Sequence, residues 1–438
     1  MNNDLLRVFE TESDYDSAKP DFVYPTVSYV RDVDEVRYMD ESLRNYFFIE
    51  ALADGMTVTL SNTIQMDDEF SINAPANDLE YSTDQQIWTT LSNNTASPAI
   101  NTGERIYLRG NATSAADMAN MTLGMGYFNI TQSCNVGGNI MSLLFNDDFE
   151  DKTDLTGYDM AFAYLFLQQP IVNASELILP ATTLSMACYG SMFGGCTSLT
   201  AAPALPATTL ATSCYNAMFG GCTSLTTAPE LPATTLAKQC YYNMFDGCTS
   251  LTTAPALPAT TLADNCYNIM FLKCTSLTTA PVLPPTTLAK SCYFQMFDGC
   301  TSLTTAPALP ATTLTDGCYY AMFQRCTSLV TAPELPATTL ASSCYGWMFQ
   351  SCTSLVTAPE LPATTLANQC YEYIFYNCTN LNYIKMLATD ISASHCLNNW
   401  VDGVSSTGTF VKNPALSEET IGRGVSGIPE GWTVVDAE

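Results

Sequence analysis

From Leu179 onward the apolar positions repeat every 26 residues as L-P-A-T-T-L-A-x-x-C-Y-x-x-M-F-x-G-C-T-S-L-T-T-A-P-x, with units begun at Leu179, Leu205, Leu231, Leu257, Leu283, Leu309, Leu335 and Leu361. A period held over eight copies is the signature of a solenoid, because one unit cannot bury its apolar face alone and stacked units can. Within a unit Cys and Met stand four apart, as do Tyr and Phe (Cys266/Met270 and Tyr267/Phe271), which predicts one or two turns of helix with an apolar face. A Gly before the second Cys reads as the helix stop. The stretch T-S-L-T-T-A-P-x-L-P predicts a short strand and turn stacked on its copy at about 4.8 Å, so eight coils make a rod of roughly 40 Å.

Upstream the period changes. Over residues 46–144, segments such as YFFIEAL, MTVTLS, LEYSTDQQIWTTL and RIYLRG alternate apolar and polar positions between Gly, Asn and Asp turns, predicting a small β-sandwich. Residues 1–45 are acidic and short of core residues, and read as an extended anchoring arm. In it YPTVSYV, with Tyr24, Pro25, Val27 and Tyr29, suits adding a strand to a partner's sheet. Residues 145–178 look like a degenerate coil capping the N-terminal end of the rod. The eight repeats occupy 179–386, and 387–438, with Trp400 and Trp432, supply a degenerate repeat and a C-terminal cap.

Composition narrows the function classes. Of 438 residues 47% are apolar and only 13% charged, and 43 acids against 15 bases leave a net charge of −28. Such a chain repels phosphate backbones and anionic lipids, which argues against nucleic-acid and membrane-surface partners. A single histidine, His395, leaves no multi-His metal site, and neither G-x-S-x-G, H-E-x-x-H nor a P-loop is present, so no enzyme, catalytic residue or cofactor is expected. The start MNNDLLRVFETESDYDSAKP lacks the basic and apolar stretches of an export signal, and the longest apolar run, Met160 to Leu167, falls well short of the ~20 residues that span a bilayer. Folding in a cytoplasm is the expectation.

Of the 18 cysteines all but Cys134 fall into two columns at the 26-residue step, one from Cys188 to Cys396 and the other from Cys196 to Cys378. Their spacing of eight within a unit is not that of a zinc site. If the residues between are helical, they separate the pair by about 12 Å, beyond the roughly 7 Å a disulfide allows. Buried free thiols acting as small apolar residues are expected.

The motif M-F-x-G-C-T-S-L-T-T-A-P, recurring from Phe193 to Phe375, resembles the BspA-like leucine-rich repeats. That resemblance implies an α/β leucine-rich-repeat solenoid, here with 26-residue coils, with adhesive or ligand-binding roles and no catalysis. YPTVSYV, GGNIMSLLF, LATDISAS and TGTFVKNP also resemble proteins encoded by Bacteroides-type bacteria and their phages. This second resemblance implies a structural virion protein, a head or tail fibre or decoration made in the host cytoplasm. Its arm would hold other virion proteins, its repeats would touch a host-surface glycan or protein, and it would be a homo-oligomer, a trimer by analogy. The alternatives are a bacterial cell-surface adhesin and an intracellular protein-binding scaffold.

Positions that vary between coils face solvent and carry recognition. Two such columns follow each Cys-Tyr, and their aromatic members Tyr242, Phe294, Tyr320, Trp347 and Tyr373 form the candidate ligand or partner stripe, since rings offer large contact area at low entropy cost. The competing readings are packing against a neighbouring subunit, cover for the solenoid's own flank, and plain surface. A third column, Ala204, Glu230, Ala256, Val282, Ala308, Glu334 and Glu360, reads as solvated surface rather than a site for a cation or basic partner. The acid clusters Asp67-Asp68-Glu69 and 147–151 read as solvated turns rather than calcium sites.

Overall fold

The computed structural model describes residues 44–61, 79–110, 127–283 and 287–438 in full and, as backbone, the strands at 6–9, 26–30, 35–39, 63–65 and 71–73. Strands β1 (Leu6–Phe9), β2 (Thr26–Val30) and β3 (Glu35–Met39) form one sheet, with β2 in the middle, parallel to β1 and antiparallel to β3. Val27 and Tyr29, expected in the arm, lie in β2, whose two edges are paired within the chain. Tyr24 and Pro25 lie outside the described residues.

Next come β4 (Phe47–Ala51), β5 (Val58–Ser61), β6 (Thr63–Gln65), β7 (Ser71–Asn73), β8 (Leu79–Ser82), β9 (Thr89–Leu91), β10 (Arg105–Gly110), β11 (Tyr127–Ile130), β12 (Cys134–Asn139), α1 (Ser142–Phe145) and β13 (Ile171–Ile178). A mixed six-stranded sheet runs β13-β12-β4-β10-β8-β9, and β5 pairs with β11 in a second, two-stranded sheet. The hydrophobic pattern explains the order: β10 alternates half-buried and buried positions, while β4, mid-sheet, is buried at four of its five. On one face Phe47 stacks on Phe128 of β11, 6.0 Å between centroids, and joins the two sheets. On the other face Phe48 lies under the Arg105 guanidinium at 4.0 Å. Gly137 leaves room for this ring, since a Cβ there would come within 2.4 Å of it.

The sheet runs into the solenoid without a break. Strand β13 pairs parallel with β12 and starts the stack, through Asn173 bridging Ala201. Phe128 stacks on Phe166 and Phe166 on Phe193, so one continuous core extends from Tyr46 to Trp432.

In the coils the expected solenoid appears, and the expected helices do not. Each L-A-x-x-C-Y-x-x-M-F segment is a run of turns in which every fourth residue is left-handed, as at Asn265, Ile269 and Lys273 with φ of 56°, 59° and 56°. Alternate N–H groups then face opposite ways. Cys266, Asn268, Met270 and Leu272 donate three residues back within their own coil. Tyr267, Ile269, Phe271 and Lys273 donate instead to Cys292, Phe294, Met296 and Asp298 of the next coil at 2.7–3.1 Å. Helices fail here because they pack 8–10 Å apart. The coils step by far less, 5.7 Å between the rings of Phe245 and Phe271, and a turn ladder matches that step while satisfying every second donor across it.

The expected strand also shrinks. Neighbouring coils meet in isolated parallel bridges between threonines, Thr227 to Thr253 to Thr279 and Thr287 to Thr313 to Thr339. Proline explains this, because T-A-P-x-L-P removes two ladder donors per coil. Where proline is lacking, full strands return: β13 before the first coil, and β14 (Tyr383–Met386) after the last. The latter pairs with β15 (Thr409–Lys412), which pairs with β16 (Thr433–Asp436), all parallel, and a short helix α2 (Glu418–Ile421) lies between the last two. Trp400 closes the stack, tilted on Phe375 at 6.3 Å, its Nε1 donating to Gly427 O.

Candidate functional site

Columns of Phe, Tyr, Cys, Met and Leu side chains fill the coils, and the columns that vary between coils lie outside them. Phe166 to Phe375 and Tyr189 to Tyr371 form two buried ring stacks, with centroids 5.3–6.2 Å apart and planes within 28° of parallel. All eighteen cysteines are free and buried. In the second thiol column each Sγ–H donates to a phenylalanine carbonyl of the preceding coil, as Cys248 does to Phe219 O at 3.1 Å. Burial pushes Cys196 and Cys248 up to about 12, which keeps them as thiols and chemically quiet.

The tyrosine stack carries a test of what holds it. Among the described residues no protein group bonds the buried hydroxyls of Tyr189, Tyr215, Tyr241, Tyr293 and Tyr371. The rings, not the hydroxyls, hold the column. Tyr215→Phe is expected to shift unfolding free energy by less than about 1 kcal/mol, the size of one hydrogen bond, while Tyr215→Ala costs about 3–5 kcal/mol, both read by urea denaturation.

The outer flank follows the left-handed residues; expected to face solvent, it is half-buried, with Ala321 and Asn268 buried. Ser191, Ala217, Asn243, Ile269, Gln295, Ala321, Trp347 and Tyr373 all have φ between 49° and 61°, and the varying residue before each stands beside it. The structure sorts the predicted aromatics into two stacked pairs, all of them half-buried. Phe294 lies on Tyr320, 4.8 Å apart and 7° from parallel, and Trp347 on Tyr373, 4.3 Å and 30°. Tyr242 stands apart, with no ring partner among the described residues. Gly346 is what lets Tyr320 lie flat: a Cβ there would sit 3.1 Å from its ring. Polar groups frame the rings. Asn399 Nδ2 donates to Tyr373 Oη at 2.8 Å, and Glu372 accepts from Gln369 and Asn398 at 2.9 and 3.0 Å. Burial and then the Glu372 charge raise the Tyr320 phenol, so it stays a neutral hydrogen-bonding ring.

One ion pair, between a buried carboxylate and a half-exposed arginine, was missed by the sequence reading. Asp298, its side chain fully buried, accepts from Arg325 Nε and Nη2 at 2.9 and 2.7 Å. Burial raises the Asp298 carboxyl, and Arg325 pulls the other way. Asp246 is likewise raised by burial, opposed by Lys273. The signal was present as an alternation, Asp246, Lys273, Asp298, Arg325, over four successive coils.

A family model described as "BspA type Leucine rich repeat region" matches six copies, over residues 187–330 and 296–400. Neither the curated proteins nor the solved structures include a match to the chain.

Proposed function

Because the chain carries a BspA-type leucine-rich repeat region, we propose that it is a non-enzymatic recognition protein whose rod binds a host-surface glycan or protein through the aromatic flank. The observation carrying this reading is the row of stacked pairs Phe294/Tyr320 and Trp347/Tyr373 in four successive coils. Flat half-exposed rings edged by amides and a carboxylate suit stacking against sugar rings or anchoring a protein partner. We further propose that the chain is part of a phage virion, a head or tail fibre or decoration held to other virion proteins by its N-terminal region and assembled as a homo-oligomer. Supporting this, eighteen thiols buried unpaired suit folding in a reducing cytoplasm before release.

Two measurements test these readings. Replacing Phe294, Tyr320, Trp347 and Tyr373 together by Ala is expected to weaken host-cell binding at least tenfold with the fold intact by circular dichroism; unchanged binding refutes the stripe. Quantitative mass spectrometry of gradient-purified particles beside washed envelopes is expected to find the chain at fixed ratio to the capsid protein. Enrichment in envelopes alone replaces the virion reading by a cell-surface adhesin.

A further inference from the structure

The prolines that shorten the strands also leave a groove. Between the sixth and seventh coils a cavity of about 710 Å³ opens between two copies of T-A-P-E-L-P, lined by Val330, Pro333, Glu334, Val356, Pro359 and Glu360 among others. A second of about 660 Å³ opens between the first two coils, where the equivalent residues include Pro203, Pro229 and Glu230. Val330 and Val356 are 56% and 44% exposed, so the lining is apolar and open to solvent.

Main-chain donors in this groove lack partners. At the end of the array Ala358 and Leu361 donate to Tyr383 O and Lys385 O of the proline-free strand β14, at 3.0 and 2.9 Å. Their counterparts one coil earlier, the N–H groups of Ala332 and Leu335, have no acceptor among the described residues. The charges are equally one-sided. Glu360 is met by Lys385 Nζ at 3.0 Å, showing that an ammonium on the next strand reaches this column. Glu334 and Glu230 are exposed and have no basic partner among the described residues.

We propose that each groove binds an extended basic peptide segment of a partner protein. Its main chain would face the unpaired Ala and Leu N–H groups, its apolar side chains the Val and Pro lining, and its Lys or Arg the free Glu334 or Glu230. The bond from Lys385 to Glu360 is the chain's own copy of that contact. This surface is built from other columns than the aromatic flank and does not rest on it. A second copy of the chain is a poor occupant of the groove, because it has only 15 bases among 438 residues to meet these glutamates.

The probe is a fluorescent peptide, (Lys-Val-Pro)4, with (Glu-Val-Pro)4 as control, titrated calorimetrically onto the full chain. The expected result is two sites for the lysine peptide, weakened as salt rises, and none for the glutamate peptide. Glu334→Lys should remove one site and Glu230→Lys with Glu334→Lys both, while Glu419→Lys with Glu438→Lys, the same charge change elsewhere, keeps two. Loss of binding in that last variant, or retention in the groove variants, overturns the proposal. So does a concentration-dependent dimer in sedimentation that the groove variants disperse, which would make the occupant a second copy.

Discussion

Phe271→Ala is expected to destabilise the protein by about 3–5 kcal/mol and to split its unfolding into two steps. The ring is fully buried and lies between Phe245 and Phe297, 5.7 Å from each and within 4° of parallel to both. Its backbone is engaged on both sides as well, since the N–H donates to Met296 O and the carbonyl accepts from Cys300 Sγ. Alanine removes the ring from the middle of the stack and leaves a void that neighbours at a fixed step cannot close. In a one-dimensional array each coil touches only its neighbours, so a weak central junction uncouples the halves. The N-terminal half stays joined to the six-stranded sheet, and the C-terminal half to the Trp400 cap. Urea melts in a Trp88→Phe background, where the remaining tryptophans Trp347, Trp400 and Trp432 all follow Phe271, should separate when read by fluorescence and by far-ultraviolet dichroism; a single coincident transition at the original midpoint would contradict the mechanism. Phe271→Leu, which keeps most of the apolar area, should lose less and remain one transition.

Arg325→Ala is expected to cost about 2–3 kcal/mol, below the ~3–5 kcal/mol of a fully buried pair because the arginine is itself half exposed. What it leaves behind is the Asp298 carboxylate, with no exposed surface and its charged partner gone. The pH dependence has a definite sign. Burial already holds the Asp298 carboxyl above the ordinary range, and removing Arg325 lifts it further. The native state then binds the proton more readily than the unfolded chain, so the defect is full above the variant's folded pKa and shrinks as falling pH protonates the carboxylate. Asp298→Asn in the Arg325→Ala background should recover part of the loss near neutral pH and flatten that dependence. A deficit that instead widens on acidification would show that the carboxylate is not the source.

Much of this fold was legible in the sequence because it is periodic. The 26-residue register located every coil, and the constant Cys, Tyr, Met and Phe positions are the buried ones. What misled was the four-residue spacing of Cys266/Met270 and Tyr267/Phe271. It matches a helix face, but a left-handed residue at every fourth position produces the same spacing. Spacing alone does not distinguish them; the coil-to-coil step of 5.7 Å does. The prolines of T-A-P-x-L-P were visible too, yet the strand reading gave their missing donors too little weight. For the candidate stripe the residues were legible and the pairing was not, since Tyr320 can lie flat only because the next coil places Gly346 beneath it. Asp298 and Arg325 escaped notice because a buried carboxylate looks in sequence like any other variable position.

The near-identity of the coils reaches beyond the folded molecule. From the third coil on, each coil bonds to the next through the same turn-ladder atoms, so that part of the stack is indifferent to which copy follows which. At the level of the gene, misaligned recombination between copies adds or deletes whole multiples of 26 codons and leaves every surviving junction intact. Removing one such unit between Phe193 and Phe271 would bring the aromatic pairs one step closer to the N-terminal sheet without altering them. Reach can thus evolve separately from recognition, with chain length as the heritable variable and the paired rings carried along unchanged.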